Sequence, residues 1–199
     1  MTKSTARPMS RYALLLLLVA LTACAGASQG PPDNVENACE IKRERPSWYR
    51  AMKATENRWG VPVHVQMATL YQESTFRPRA RTPRTFFLGF IPTGRVSSAY
   101  GYAQAIDGTW DWYRDETGRR SARRDRFYDA SDFMGWYMSK TTKQSGVDPA
   151  DAYRQYLAYH EGHAGFARGS YTAKPWLVNT AARVQARSTK YSEQLRYCP

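Results

Sequence analysis

A glutamate closes the apolar run that ends in Tyr71-Gln72-Glu73-Ser74. Where a helix carries a carboxyl off the core face, partial burial disfavours the charged form and raises its pKa. A general acid working near neutral pH needs such a shift. Ser74, next in the chain, can hold that carboxyl by a hydrogen bond. A second segment, Ala99-Tyr100-Gly101-Tyr102-Ala103-Gln104, combines a glycine that lets backbone approach a ligand closely with an amide that both donates and accepts. A third, Leu157-Ala158-Tyr159-His160-Glu161-Gly162, offers a tyrosine hydroxyl that could donate to Glu73. Each has a plainer reading when taken alone: a solvated glutamate at a helix end, a turn glycine beside a surface glutamine, a core tyrosine.

His160-Glu161-Gly162-His163 resembles a zinc-protease motif only superficially. Its histidines are three apart and not four, and Gly162 would end the helix between them. His64 stands elsewhere without a supporting cluster. No nucleotide loop or Ser-His-Asp ordering occurs, so neither metal nor cofactor is expected.

The elements that must position these groups read as helices. Pro46-Ser47 opens a segment with Trp48, Tyr49, Met52 and Trp59 at helical spacing, stopped by Gly60. Pro62 suits a first helical turn, and Val63, Met67, Leu70 and Tyr71 mark one face running to about Glu73. From Arg77 to Tyr100 three prolines and two glycines punctuate Phe86-Phe87-Leu88 and Phe90-Ile91, which argues a loop or short hairpin. Helical character returns from Thr109 to Tyr113, with Gly118 as its stop, and again over Asp129 to Lys143 with Phe133, Trp136 and Tyr137 on one side. Asp148-Pro149 reads as an N-cap with proline at the first helical position, opening a helix that carries Tyr153, Tyr156 and Leu157 and ends near Gly162. A last helix is expected from Pro175 to about Leu195. The fold expected is mostly α, one domain, with one long central loop.

The chain has 199 residues. Lys3, Arg7 and Arg11 precede an apolar stretch, Ala13 to Leu21, that is too short to span a membrane and has the shape of a secretory leader. Leu21-Thr22-Ala23-Cys24 resembles the lipobox of bacterial lipoproteins, which implies cleavage before Cys24 and a lipid on its thiol. An ordinary signal peptide is the alternative. By the same resemblance Ala25 favours the outer membrane, facing the periplasm. The reading divides the chain into leader (1–23), lipidated cysteine and flexible Pro/Gly-rich tether (24–45) and folded domain (46–199). Removing the leader takes away three basic and no acidic residues, so the net charge falls from +12 to +9. Export makes nucleic acid an improbable partner for that charge, which suits anionic headgroups or wall-peptide carboxylates better. With Cys24 lipidated, Cys39 and Cys198 remain as a disulfide candidate in an oxidising compartment, or as free buried thiols.

Taken in order, the three segments resemble the soluble lytic transglycosylase family, which shares a lysozyme-like fold with goose-type lysozymes. Glu73-Ser74 with Phe76, Pro78 and Ala80 is similar to that family's Glu-Ser motif. Gly101-Tyr102-Ala103-Gln104 stands where the family has Gly-Leu-Met-Gln, and Ala158-Tyr159-His160-Glu161-Gly162 where it has Ala-Tyr-Asn-Ala-Gly. The resemblance covers about residues 47 to 170. It implies a peptidoglycan glycan-strand substrate, Glu73 as sole acid/base, Tyr159 as its orienting group, and Ser74, Tyr102, Gln104, His160 and Glu161 as orienting or sugar-binding residues. His160 departs from the family's asparagine, and 31 positions separate Glu73 from Gln104, more than the family's usual interval. The extra length, including Phe86 to Ile91, could cover the cleft, grip glycan, touch a membrane or pack in the core. Two other readings stay open: a muramidase using the same glutamate with water, and a non-catalytic glycan-binding lipoprotein.

Overall fold

The computed structural model describes residues 30–198. The leader and Cys24 lie outside the described residues. Among these, seven α-helices account for most of the chain: α1 (Ala38–Glu44), α2 (Pro46–Trp59), α3 (Val63–Ser74), α4 (Asp107–Thr117), α5 (Phe127–Ser145), α6 (Ala152–Ala167) and α7 (Pro175–Tyr197). One antiparallel hairpin, β1 (Arg84–Phe87) and β2 (Ile91–Arg95), interrupts them, and a 3-10 turn at Ser170–Ala173 precedes α7. No helix among the described residues is long and apolar enough to cross a membrane.

The centre of the molecule is α3. Val63, Val65, Gln66, Met67, Ala68, Thr69 and Leu70 are all buried, as in a helix surrounded on every side rather than one with a single apolar stripe. Helices α5, α6 and α7 pack around it, and α2 lies against α5. Gly135 lets α2 and α5 approach closely, since a Cβ there would sit 2.3 Å from Thr55 Cγ2 and 2.9 Å from the Trp59 ring. Gln66 in the middle of this core keeps both ends of its amide satisfied: its nitrogen donates to the Met52 and Val61 carbonyls and its oxygen accepts from Ser131.

Three expectations need correction. Residues 38–44, read as the end of a tether, form α1. Asn37 caps it by accepting from the amides of Cys39 and Glu40, and Ala38 and Ile41 are fully buried. The helix holding the third motif begins three residues after Pro149. Asp151 caps α6 through the Arg154 amide, while Asp148 folds back on the Ala150 amide in a turn. Gly162 does not end α6 but kinks it at φ 73°, and helix resumes to Ala167. The buried core side chains among the described residues lie between Ala38 and Tyr191, with Val35 and Leu195 packed against them, so the described residues carry their own core.

A buried acidic network fixes α4 against α5. Asp132, 3% exposed, accepts from Tyr113 Oη at 2.7 Å and Trp59 Nε1 at 2.9 Å and pairs with Arg119 at 2.7 Å. Removing the carboxylate would leave these donors facing a dry gap. Asp132→Ala is therefore expected to cost about 3–5 kcal/mol, read as a lower urea midpoint at unchanged m-value. A loss below about 1 kcal/mol would mean that water replaces the carboxylate.

Candidate active site

The site begins where α3 stops. Thr75 and Phe76 both take left-handed backbone, at φ 50° and 57°, a conformation costing a non-glycine residue roughly 1–2 kcal/mol. Burial of Phe76, 0% exposed against Trp48 and Tyr71, compensates for that strain. The hook ends the helix one residue after Glu73 and leaves its carboxyl at the floor of a cleft of about 540 Å³. Phe133 and Tyr137 of α5 line this cleft, with Tyr159, His160 and Glu161 of α6, Gln104, and the hairpin base at Thr82 and Ser97.

Burial raises the Glu73 carboxyl to about 7, and the Tyr156 hydroxyl acts in the opposite sense. Glu73 is therefore poised to give and recover a proton near neutrality. Ser74 takes no part in holding it. Its hydroxyl is buried and donates to the Leu70 carbonyl at 3.2 Å, one helical turn back. Tyr159 lies close enough to feel the Glu73 charge, but its hydroxyl donates to the Ala103 carbonyl at 2.5 Å. That bond ties the third motif to the second. The hydroxyl that lowers the carboxyl's pKa is that of Tyr156, three residues earlier on the same helical face, and sequence reasoning missed it.

The second motif is a turn built around Gly101. Its φ is +83°, and a Cβ there would sit 2.1 Å from the Arg124 carbonyl oxygen, so conformation and space both demand glycine. Gln104 also sits at positive φ and donates through Nε2 to the Ala80 and Gly101 carbonyls, leaving its oxygen as the atom able to accept from a ligand. Tyr102 does not reach the cleft. It is 2% exposed and packs edge-on against Trp48 and Phe127, a core role rather than a binding one.

His160 lies at the cleft wall, 3.3 Å from Glu161 and edge-on to Trp176, whose ring is 56% exposed. Trp176 had no signal in the sequence beyond its type. Glu161 is spent on structure: Lys174 Nζ reaches its two oxygens at 2.7 and 3.0 Å, and Ser170 also donates to it. These partners hold its carboxyl down at about 2. Asp107 lines a separate depression and pairs with Arg124 at 2.8 Å. His163 stacks on Tyr137 and meets Thr141, while His64 meets Ser188 on α7. Among the described residues, no three His, Cys, Asp or Glu side chains are grouped to hold a metal ion.

Tyr156→Phe tests the hydroxyl that favours the charged form of the carboxyl. Without that donor the charged form loses support, so the high-pH limb of activity is expected to move upward. The low-pH plateau should fall by less than about tenfold, because the proton donor itself remains. A lowered plateau with an unmoved limb would make Tyr156 a packing residue only.

No curated protein matches the chain. The family model described as "Transglycosylase SLT domain" matches residues 12–198. A glutamate with a raised pKa at the end of a buried helix, in a cleft lined by residues of the second and third motifs, fits that match, and the chain belongs to this lysozyme-like family of lytic transglycosylases that act on cell-wall peptidoglycan.

Proposed function

We propose that the protein cleaves the β-1,4 bond between N-acetylmuramic acid and N-acetylglucosamine without consuming water, with Glu73 as its sole acid/base. Glu73 protonates the bridging oxygen as the bond from the anomeric carbon breaks. The substrate's own acetamide relieves the positive charge left on that carbon, as in other substrate-assisted cleavages. The Glu73 carboxylate then takes the proton of the muramic 6-hydroxyl as its oxygen closes on the anomeric carbon. The product is a 1,6-anhydro ring and the enzyme returns to its starting protonation. Gln104 and His160 contact the sugar, and Tyr156 and Tyr159 hold the floor around Glu73.

One observation carries this reading. The cleft holds a carboxyl raised to about 7, while the other carboxyl in its wall, Glu161, is locked to Lys174 and Ser170. Inverting hydrolysis needs a second carboxylate free to activate water, and Glu161 is engaged elsewhere. The reading extends to the chain's start: residues 1–23 are removed as a leader, Cys24 carries lipid, and the domain faces the periplasm from the outer membrane.

The test is a digest of purified peptidoglycan by residues 30–199, beside Glu73→Gln, analysed by mass spectrometry. Anhydro-muropeptides from the parent and none from the variant support the proposal. Reducing-end products, one water heavier, would move the protein to the hydrolases.

A further inference from the structure

The hairpin between the first two motifs is built against the rule that apolar side chains go inside. Residues 83–96 are all exposed, with Phe86 at 51%, Phe87 at 60%, Leu88 at 69% and Phe90 at 71%. Phe86 to Pro92 contains no polar side chain, so the distal part of the ribbon and its tip are apolar, whereas its base carries Arg84, Thr85, Thr93 and Arg95. A sugar platform would instead set one aromatic face beside hydrogen-bonding groups.

Charge is arranged around this tip. From Ser74 to Ile106 there are five arginines and no acidic residue. Arg84 and Arg95 stand directly opposite each other across the ribbon, where like charges destabilise a strand pair. Among the described residues neither forms an ion pair. Arg95 donates to the Thr82 carbonyl, and Arg81 lies over the Tyr100 ring at 4.2 Å. Phe86 to Leu88 spans about 7 Å at 3.3 Å per residue, which matches the depth to which apolar groups enter a bilayer interface, roughly 5–10 Å.

We infer that the hairpin docks on an anionic lipid surface, with Phe86, Phe87, Leu88, Phe90 and Ile91 in the acyl boundary and Arg81, Arg84 and Arg95 at the phosphates. The hairpin base fixes what this does to the enzyme. Thr82 and Ser97 are hydrogen-bonded to each other and line the Glu73 cleft. A hairpin seated in the bilayer therefore holds the cleft at a set height and orientation, where it meets the glycan nearest the membrane. The inference rests on the hairpin alone and not on the chemistry at Glu73 or on lipid at Cys24.

The experiment is co-sedimentation of residues 30–199 with vesicles of phosphatidylglycerol and phosphatidylethanolamine, and with phosphatidylcholine vesicles. The parent should bind the anionic vesicles, and less so as salt rises. Phe87→Ser, Leu88→Ser and Phe90→Ser together should reduce partitioning by at least about tenfold, with unchanged thermal unfolding and unchanged cleavage of soluble glycan fragments. Arg84→Gln with Arg95→Gln should remove the preference for anionic over neutral lipid. Leu88→Cys carrying an environment-sensitive fluorophore should shift to the blue on adding anionic vesicles. Three outcomes overturn the inference: no vesicle binding, binding that survives the triple tip variant, or a tip variant that loses only sacculus binding or self-association.

Discussion

Glu73→Gln is expected to lower release of anhydro-muropeptides by about 10⁴-fold, the upper end for a general acid–base residue, because in the proposed mechanism one carboxyl serves both proton transfers. The parent's pH profile should carry the same signature. In the proposed mechanism Glu73 enters the first step protonated, and burial holds its carboxyl at about 7. The kcat/KM value should then be flat from about pH 4 to 7 and fall about tenfold per pH unit above that. Stability falls with rising pH as well. The folded pKa lies above the unfolded value of 4.5, so the folded state binds the extra proton between the two. Stability conferred by the neutral carboxyl is full below about pH 4.5, is lost as pH rises, and is gone above about pH 7. Glutamine never ionises and escapes that loss. At pH 8 the variant should therefore be more stable than the parent by about 2 kcal/mol, allowing for the water the cleft-facing edge retains, and near parity at pH 4. Thermal melts of both proteins at the two pH values check this. Equal stability at both would mean that Glu73 is solvated and is not the raised acid.

The position of Glu73 was legible because it rests on local signals: an apolar run of helical spacing begun by Pro62 and broken by Pro78. The direction of its neighbours was not. Ser74 turns back to Leu70 because the chain hooks left-handed at Thr75 and Phe76, and only the tertiary core around Phe76 sustains that hook. Tyr156 and Tyr159 share a helical face, so spacing alone could not say which hydroxyl meets the carboxyl. Glu161 belongs to a clamp closed by Lys174, 13 residues onward and across the Gly162 kink, which no periodicity reveals. Tyr102 resembled a binding residue by its place in a motif, yet the aromatic cluster of Trp48 and Phe127 claims it. The hairpin was read as loop or hairpin with several possible roles. Its exposure removes core packing from those, and leaves the charge pattern around Arg84 and Arg95 as the feature needing a partner. Helix α1 was hidden by its seven residues, too few to be stable as an isolated helix.

Besides its cap and the burial of Ala38 and Ile41, α1 is held covalently, and that bond sets the largest expected stability loss. Cys39, in its first turn, is bonded to Cys198 at the end of α7, with Cα atoms 5.3 Å apart and 159 positions between them. In the chain-entropy description a loop of this length confines the unfolded chain by about 5 kcal/mol. Cys39→Ser with Cys198→Ser is thus expected to lower the melting temperature by roughly 10–20 °C. The bond has weaker support beside it: the Ala38 amide donates to Gln194 at 2.8 Å, and Glu36 pairs with Arg187 and Lys190 at the surface. Such exposed pairs contribute about 0–1 kcal/mol each and cannot replace the covalent link. Loss could instead be confined to α1, which would fray while α2 to α7 keep their packing. Hydrogen exchange separates the two results. A global loss accelerates exchange in the buried α3 amides together with those of α1, whereas fraying raises it only over 38–44 and leaves the melt nearly unmoved. The second pattern would overturn the expected loss. It would also show that the Glu73 floor, carried by α3 and α6, is independent of the redox state of the compartment.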